Sequence, residues 1–250
     1  MYQQERLDEI MRILKKNHYV TVDYLVQEIR YSPASIRRDL TLLEKQGLVR
    51  RSYGGVEIKD DKGTPFRFRQ HSMKLEKNAI AKQAASLVKN GDTVFLDGSS
   101  TTQYMGHFLS TKKGLTVVTA NMMLASYLYE HGIMTYCTGG RVVEYPGTLG
   151  GDMLARSLSG FNIDIGFFST CGINVNGDIL TNSESAMNNI EAARACCKKL
   201  VYLCGSDKFD SNARFKGMAL NEIDYFISDK PLDEKIRKLF DRTVFISTNK

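Results

Sequence analysis

The chain has 250 residues, of which 42% are hydrophobic and 25% charged, so it is expected to be globular, with a sizeable core in one or two domains. No apolar run approaches the roughly 18 residues of a membrane span, and the polar opening MYQQERLDEI lacks the form of a signal peptide, so a cytoplasmic protein with no membrane partner is expected. The net charge of +6 is uneven: residues 1–75 carry 15 Lys+Arg against 10 Asp+Glu and residues 76–250 carry 19 against 18, which directs the search for a polyanionic partner to the first third.

Residues 3–16 place Leu7, Ile10, Met11 and Leu14 at offsets of an amphipathic helix. After the break NHYV, Thr21 can cap a second helix, VDYLVQEI. The turn RY leads to a third, SPASIRRDLTLLEKQG, with Ser32 as N-cap, Pro33 at the first helical position and Gly47 as the stop. LVRRSYGGVEI reads as two short strands around Gly54 and Gly55. Three helices and a two-stranded ribbon predict a winged helix-turn-helix over 1–58. Residues 59–75 lack periodicity and read as a linker.

From 76 to 250 helical and strand patterns alternate. The strands are TVFLD, LTVVT, IMTYCT, IDIGFFST, LVYLCG and TVFIS; GINVNGDILTN reads as an inserted hairpin. The alternation predicts an α/β domain with a mainly parallel, Rossmann-like sheet. The five cysteines are odd in number and lack CxxC spacing, and the four histidines are scattered. Reduced thiols and no metal site follow, and no cofactor is expected.

The third helix can be tested by angle. At about 100° per residue, Leu40 and Leu43 fall within about 40° of Ile36, while Ala34, Arg38, Thr41 and Lys45 fall opposite. Arg37 and Ser35 flank that outer face, and Asp39 lies nearer the core side. Small residues admit the backbone to a groove, and arginine can hold phosphate or read guanine. Ser32, Ala34, Ser35, Arg37, Arg38, Thr41 and Lys45 are therefore candidate contacts to double-stranded DNA. Arg50, Arg51, Tyr53, Gly54 and Gly55 are candidates on the wing.

SPASIRRDLTLLEKQGLVRRSYGGV resembles the helix-turn-helix of the DeoR family of bacterial transcription regulators, and LEKNAIAKQAASLVKNGDTVFLDGSSTT, TAN, TGG, GG and DKF extend the resemblance in order along the chain. The resemblance implies a DNA-binding head and a C-terminal sensor domain with the fold of sugar-phosphate isomerases, responding to phosphorylated sugars or their derivatives. The chain departs from the family pattern at three places. Tyr53 stands where the wing commonly has His. Ala186–Asn189 replaces a charged pair. Gly205 replaces an Asp.

VFLDGSSTTQYM is the stretch on which a small-molecule site rests. A strand ends at Asp97, and Gly98, Ser99, Ser100, Thr101 and Thr102 lead into a helix, offering hydroxyls and backbone amides to a phosphate. Asp97 would accept from a sugar hydroxyl or hold the loop. Parallel sheets bind ligands beyond the carboxyl ends of their strands. This adds Thr119, Asn121, Gly139, Gly140, Arg141, Gly172 and Lys208 as effector-binding candidates, with Glu184 from the helix after the hairpin. The expected function is an effector-controlled transcription regulator, a repressor acting as a homo-oligomer, dimer or tetramer, with no catalytic residues. Two alternatives are a sugar-phosphate isomerase-like enzyme and a DNA-binding protein whose C-terminal domain is purely structural.

Overall fold

A computed structural model describes residues 3–17, 19–46, 48–52, 55–58, 66–144 and 147–249. Tyr53, Gly54, Gly47 and residues 59–65 of the expected linker lie outside them. The chain divides into two compact units, Met1–Ser72 and Met73–Lys250.

The first unit runs α1 (Gln3–Asn17), β1 (Tyr19–Thr21), α2 (Val22–Ile29), α3 (Pro33–Lys45), β2 (Val49–Ser52), β3 (Gly55–Ile58) and α4 (Phe66–Arg69). Both expected caps form. Thr21 Oγ1 accepts the Tyr24 N–H at 3.1 Å, and Ser32 Oγ accepts the Ser35 N–H at 3.2 Å. Leu7, Ile10, Leu14, Leu25, Ile36, Leu40, Leu43 and Val56 share one core. The wing differs from expectation: its sheet has three strands in the order β1-β3-β2, because Val20 pairs with Val56. The segment read as linker includes the helical turn α4.

Asp39 is fully buried on α3. Its carboxylate accepts from Arg6 Nε and, at 3.1 Å, from the second guanidinium nitrogen, with Gln3 Nε2 at 3.3 Å. The pairing raises the Arg6 pKa, chiefly through the hydrogen bond to Asp39. Arg6 also lies over the Tyr31 ring, 4.7 Å from its centre. The ion pair therefore fixes α3 to α1.

The second unit begins with α5 (Lys74–Ser86), β4 (Thr93–Leu96), α6 (Ser100–Gln103), α7 (Met105–Leu109), β5 (Thr116–Thr119), α8 (Met122–Glu130) and β6 (Met134–Cys137). A hairpin of β7 (Arg141–Glu144) and β8 (Thr148–Gly150) precedes α9 (Asp152–Leu158) and β9 (Ile165–Phe168). β10 (Gly172–Ile173), β11 (Asp178–Thr181), α10 (Glu184–Cys196), β12 (Leu200–Cys204), β13 (Phe215–Ala219), β14 (Tyr225–Ser228), α11 (Glu234–Arg237) and β15 (Val244–Ser247) complete it. The main sheet is parallel throughout, in the order β15-β14-β12-β9-β4-β5-β6. Alternation along each strand builds two cores. Val94, Leu96 and Val117 face α5, α7 and α8, whereas Phe95 and Val118 face α9 and α10.

The structure adds β14 to the six strands expected, and β13 pairs with the expected hairpin to make a three-stranded antiparallel sheet. The helix expected after Thr102 starts earlier, at Ser100, and is interrupted at Tyr104. The five cysteines are free, and burial pushes the Cys197 and Cys204 thiols up to about 12.

Removing one member of a buried ion pair strands the other charge. Arg6→Ala is expected to cost about 3 kcal/mol in urea unfolding of the full chain, and Arg6→Met with Asp39→Leu to cost less than the single change. A loss below about 1 kcal/mol for the single variant would show that the pair does not anchor α3.

Candidate functional site

Each unit carries one polar surface built from the candidate residues. In the first, the outer face of α3 exposes Ser32, Ala34, Arg37, Arg38 and Lys45, with Ser35 and Thr41 half-buried. Arg38 Nε donates to Ala34 O of its own helix at 3.4 Å. On the wing, Arg51 donates to Thr41 Oγ1 at 3.1 Å, and its N–H donates to Glu44 Oε1 at 3.0 Å, so the wing and α3 form one surface. Arg50 is paired across the ribbon with Glu57 at 2.5 Å. Gly55 is buried, and a Cβ there would collide with the Tyr19 ring, so this glycine also serves the packing of β1 on β3.

In the second unit, the loop after β4 is built around Asp97. Its Oδ1 accepts from the Ser99 N–H at 3.0 Å and Thr102 Oγ1 at 2.7 Å, and its Oδ2 accepts from the Ser169 N–H at 3.0 Å. Burial pushes this carboxyl above the ordinary carboxylate range, while the same three residues pull it down. Asp97 thus holds the loop, one of the two roles open to it, and ties the end of β4 to the end of β9. Ser99 caps α6 by accepting the Thr102 N–H at 3.2 Å. Ser100, Thr101 and Thr102 are buried, and Thr101 Oγ1 has no hydrogen-bond partner among the described residues.

Lys208 reaches the same rim. Its ammonium donates to Ser169 Oγ at 3.0 Å and Thr170 O at 2.9 Å, so Ser169 stands between Asp97 and Lys208. The turn carrying Lys208 is held by Asp229, which is buried at the end of β14 and accepts from Ser206 N–H at 2.6 Å and Ser206 Oγ at 2.7 Å. A carboxylate therefore braces this rim although Gly205 is not acidic.

Several other candidates also make contacts within the fold. Thr119 Oγ1 accepts the Asn121 N–H at 3.1 Å, and Asn121 Oδ1 caps α8 by accepting the Leu124 N–H at 3.0 Å. Gly140, at φ 114°, lies where a Cβ would approach Gly150 O to 2.8 Å. Gly139 and exposed Arg141 lead into β7. Gly172 is closely approached by the Lys208 carbonyl. Glu184 is exposed in the first turn of α10, outside the Asp97 network. Of the departing stretch, Asn188 is exposed, and Asn189 Nδ2 lies 3.4 Å from where a Cβ on Gly150 would stand.

Sequence reasoning missed Ser169, Asp229 and Thr148. Thr148 of β8 leans on Gly98: its Oγ1 donates to Gly98 O at 3.1 Å, and its methyl occupies the place of a Gly98 side chain. Only glycine fits there.

A model described as a DeoR-like helix-turn-helix domain matches residues 6–62, and one described as the DeoR C terminal sensor domain matches residues 72–230. The chain belongs to the DeoR family. It is 31% identical over 245 residues to the HTH-type transcriptional repressor GlcR of Bacillus subtilis, covering 97% of this chain and 94% of that one. It is 28% identical over 233 residues to the glycerol-3-phosphate regulon repressor of Escherichia coli, covering 92% of each. Ribose 5-phosphate isomerase from Plasmodium falciparum aligns at 16% identity and a TM-score of 0.42 over 56% of this chain and 55% of that one, too distant to bear on chemistry. This DeoR-family member is a transcription regulator with a DNA-binding helix-turn-helix.

Gly98→Ala in this regulator is expected to lower stability by about 1–3 kcal/mol, because the new methyl meets the Thr148 methyl. Thr148→Ser, which removes that methyl, should restore most of the loss in thermal melts of the double variant. No recovery would mean that the loop and hairpin are not in contact as described.

Proposed function

We propose that the chain is a repressor released from its operator by a phosphorylated sugar or sugar derivative bound at the Asp97–Thr102 loop. The observation that carries this reading is the junction of that loop with Lys208 through Ser169. The junction sets one ammonium beside a cradle of backbone amides and hydroxyls, as a phosphate monoester needs. The unpaired Thr101 Oγ1 supports it, since a buried hydroxyl without a partner is costly and a ligand reorganising the loop would relieve that cost. Thr119, Asn121 and the glycines at 139, 140 and 172 shape the rim, and Arg141 and Glu184 are available at its margin.

On DNA, α3 enters the major groove, with Arg37 and Arg38 on base edges or phosphate and Lys45 and Arg51 on the backbone. Two or more copies bind together in the cytoplasm, because repeated half-sites need paired heads. The ligand must bind the released arrangement better than the DNA-bound one. Regulation is favoured over isomerisation. Asp97 already accepts three hydrogen bonds, and Glu184 stands outside its network, so the pair is not poised as acid and base.

A thermal-shift screen of phosphorylated sugars, with inorganic phosphate as control, tests the ligand half. A sugar phosphate is expected to raise the melting temperature more than phosphate alone. Turnover of that sugar phosphate by a clean preparation would contradict the proposal. For the DNA half, Arg38→Ala should weaken operator binding by about 1–3 kcal/mol in fluorescence anisotropy, and unchanged affinity on every sequence would remove Arg38 from the reading face.

A further inference from the structure

The covering of the main sheet stops one strand short on one of its faces. β5 and β6 pair with Thr116 opposite Met134 and Val118 opposite Tyr136, so these four side chains share a face. Val118 is fully buried in the core with α9 and α10, yet Met134 is 61% and Tyr136 46% exposed. Parallel sheets are ordinarily covered on both faces. The Tyr136 hydroxyl lies 3.9 Å from Met134 Sδ, and its ring packs edge-on against Phe161 at 5.1 Å. Exposed Met153 of α9 lies close to the end of β6, its Cε 3.8 Å from where a Cβ on Gly139 would stand.

β6 is also an edge of the sheet. Its four residues, Met-Thr-Tyr-Cys, carry no charge. Edge strands that stay single are usually guarded by charge, proline or a bulge; β6 has no charged or proline residue.

We propose that this edge is where two copies of the chain meet about a two-fold axis. The proposal rests on the reading of the regulator as a homo-oligomer and names the surface. An isologous contact sets a patch against itself, which an uncharged centre tolerates without like-charge repulsion. Exposed Arg141 and Arg156 accompany exposed Asp152 in the flanking elements, so the rim holds both signs and a two-fold apposition can set unlike charges opposite each other. An unguarded edge strand offers its free N–H and C=O groups to the same strand of a second copy, which a two-fold axis sets antiparallel to it.

Sedimentation of the full chain over a range of concentrations tests this, with Tyr136→Lys and Met134→Glu as separate variants. Met134 is 61% and Tyr136 46% exposed in the single chain, so circular dichroism should be unchanged. Each variant should weaken self-association roughly tenfold or more. A wild-type oligomer whose association neither variant changes overturns the surface and leaves the oligomeric reading standing. A wild type that is monomeric at every concentration overturns both.

Discussion

The working rim of the second unit depends on one buried carboxylate. Asp97 accepts from Ser99, Thr102 and Ser169, which belong to the loop, the start of α6 and the end of β9. Taking a carboxylate out of water is unfavourable unless several donors replace the water, and here the donors come from three places in the chain. Their convergence gives the loop a single shape. Asp229 repeats the device at the neighbouring strand end, where it grips Ser206 and so sets the turn from which Lys208 reaches Ser169. Two acids thus set the shape of this rim.

The first unit follows the same logic. Asp39 turns inward to Arg6, while Arg37 and Arg38, the two residues before it, stay exposed. One face of α3 is held and the opposite face is left exposed. In both units a buried carboxylate fixes the polar surface beside it. Substitution of the buried acid and of the exposed cation should therefore fail differently, the first in folding and the second in binding.

Much of this organisation can be read along the chain. The caps at Thr21 and Ser32, the inward face of α3 and six strands of the parallel sheet follow from local pattern, because each is decided by residues a few positions apart. β1 escaped because three residues carry no period, and it forms only by pairing with β3. β14 escaped because its short run, three apolar residues and a serine, follows a 3-10 turn rather than a helix, and Asp229 was lost with it. The Asp97–Thr102 loop and Lys208 could be picked out along the chain. Their bracing could not: Ser169 lies 72 residues from Asp97, and Thr148 lies 50 residues from Gly98. Such contacts are set by strand order and by how the hairpin packs, which local spacing does not encode. The charge-poor Ala186–Asn189 stretch showed that the family's usual pair is missing, but not that Asn189 would lie against Gly150.

The central claim is that an anion at the Asp97–Thr102 loop, held by Lys208, controls DNA binding from the other unit. The most direct measurement is release of a fluorescent operator from wild type and from Lys208→Met, titrated with the phosphorylated sugar that gives the largest thermal shift. The account predicts release from wild type and none from Lys208→Met, with the two proteins binding the operator equally tightly before titration. Equal release from both, at the same sugar concentration, would contradict it.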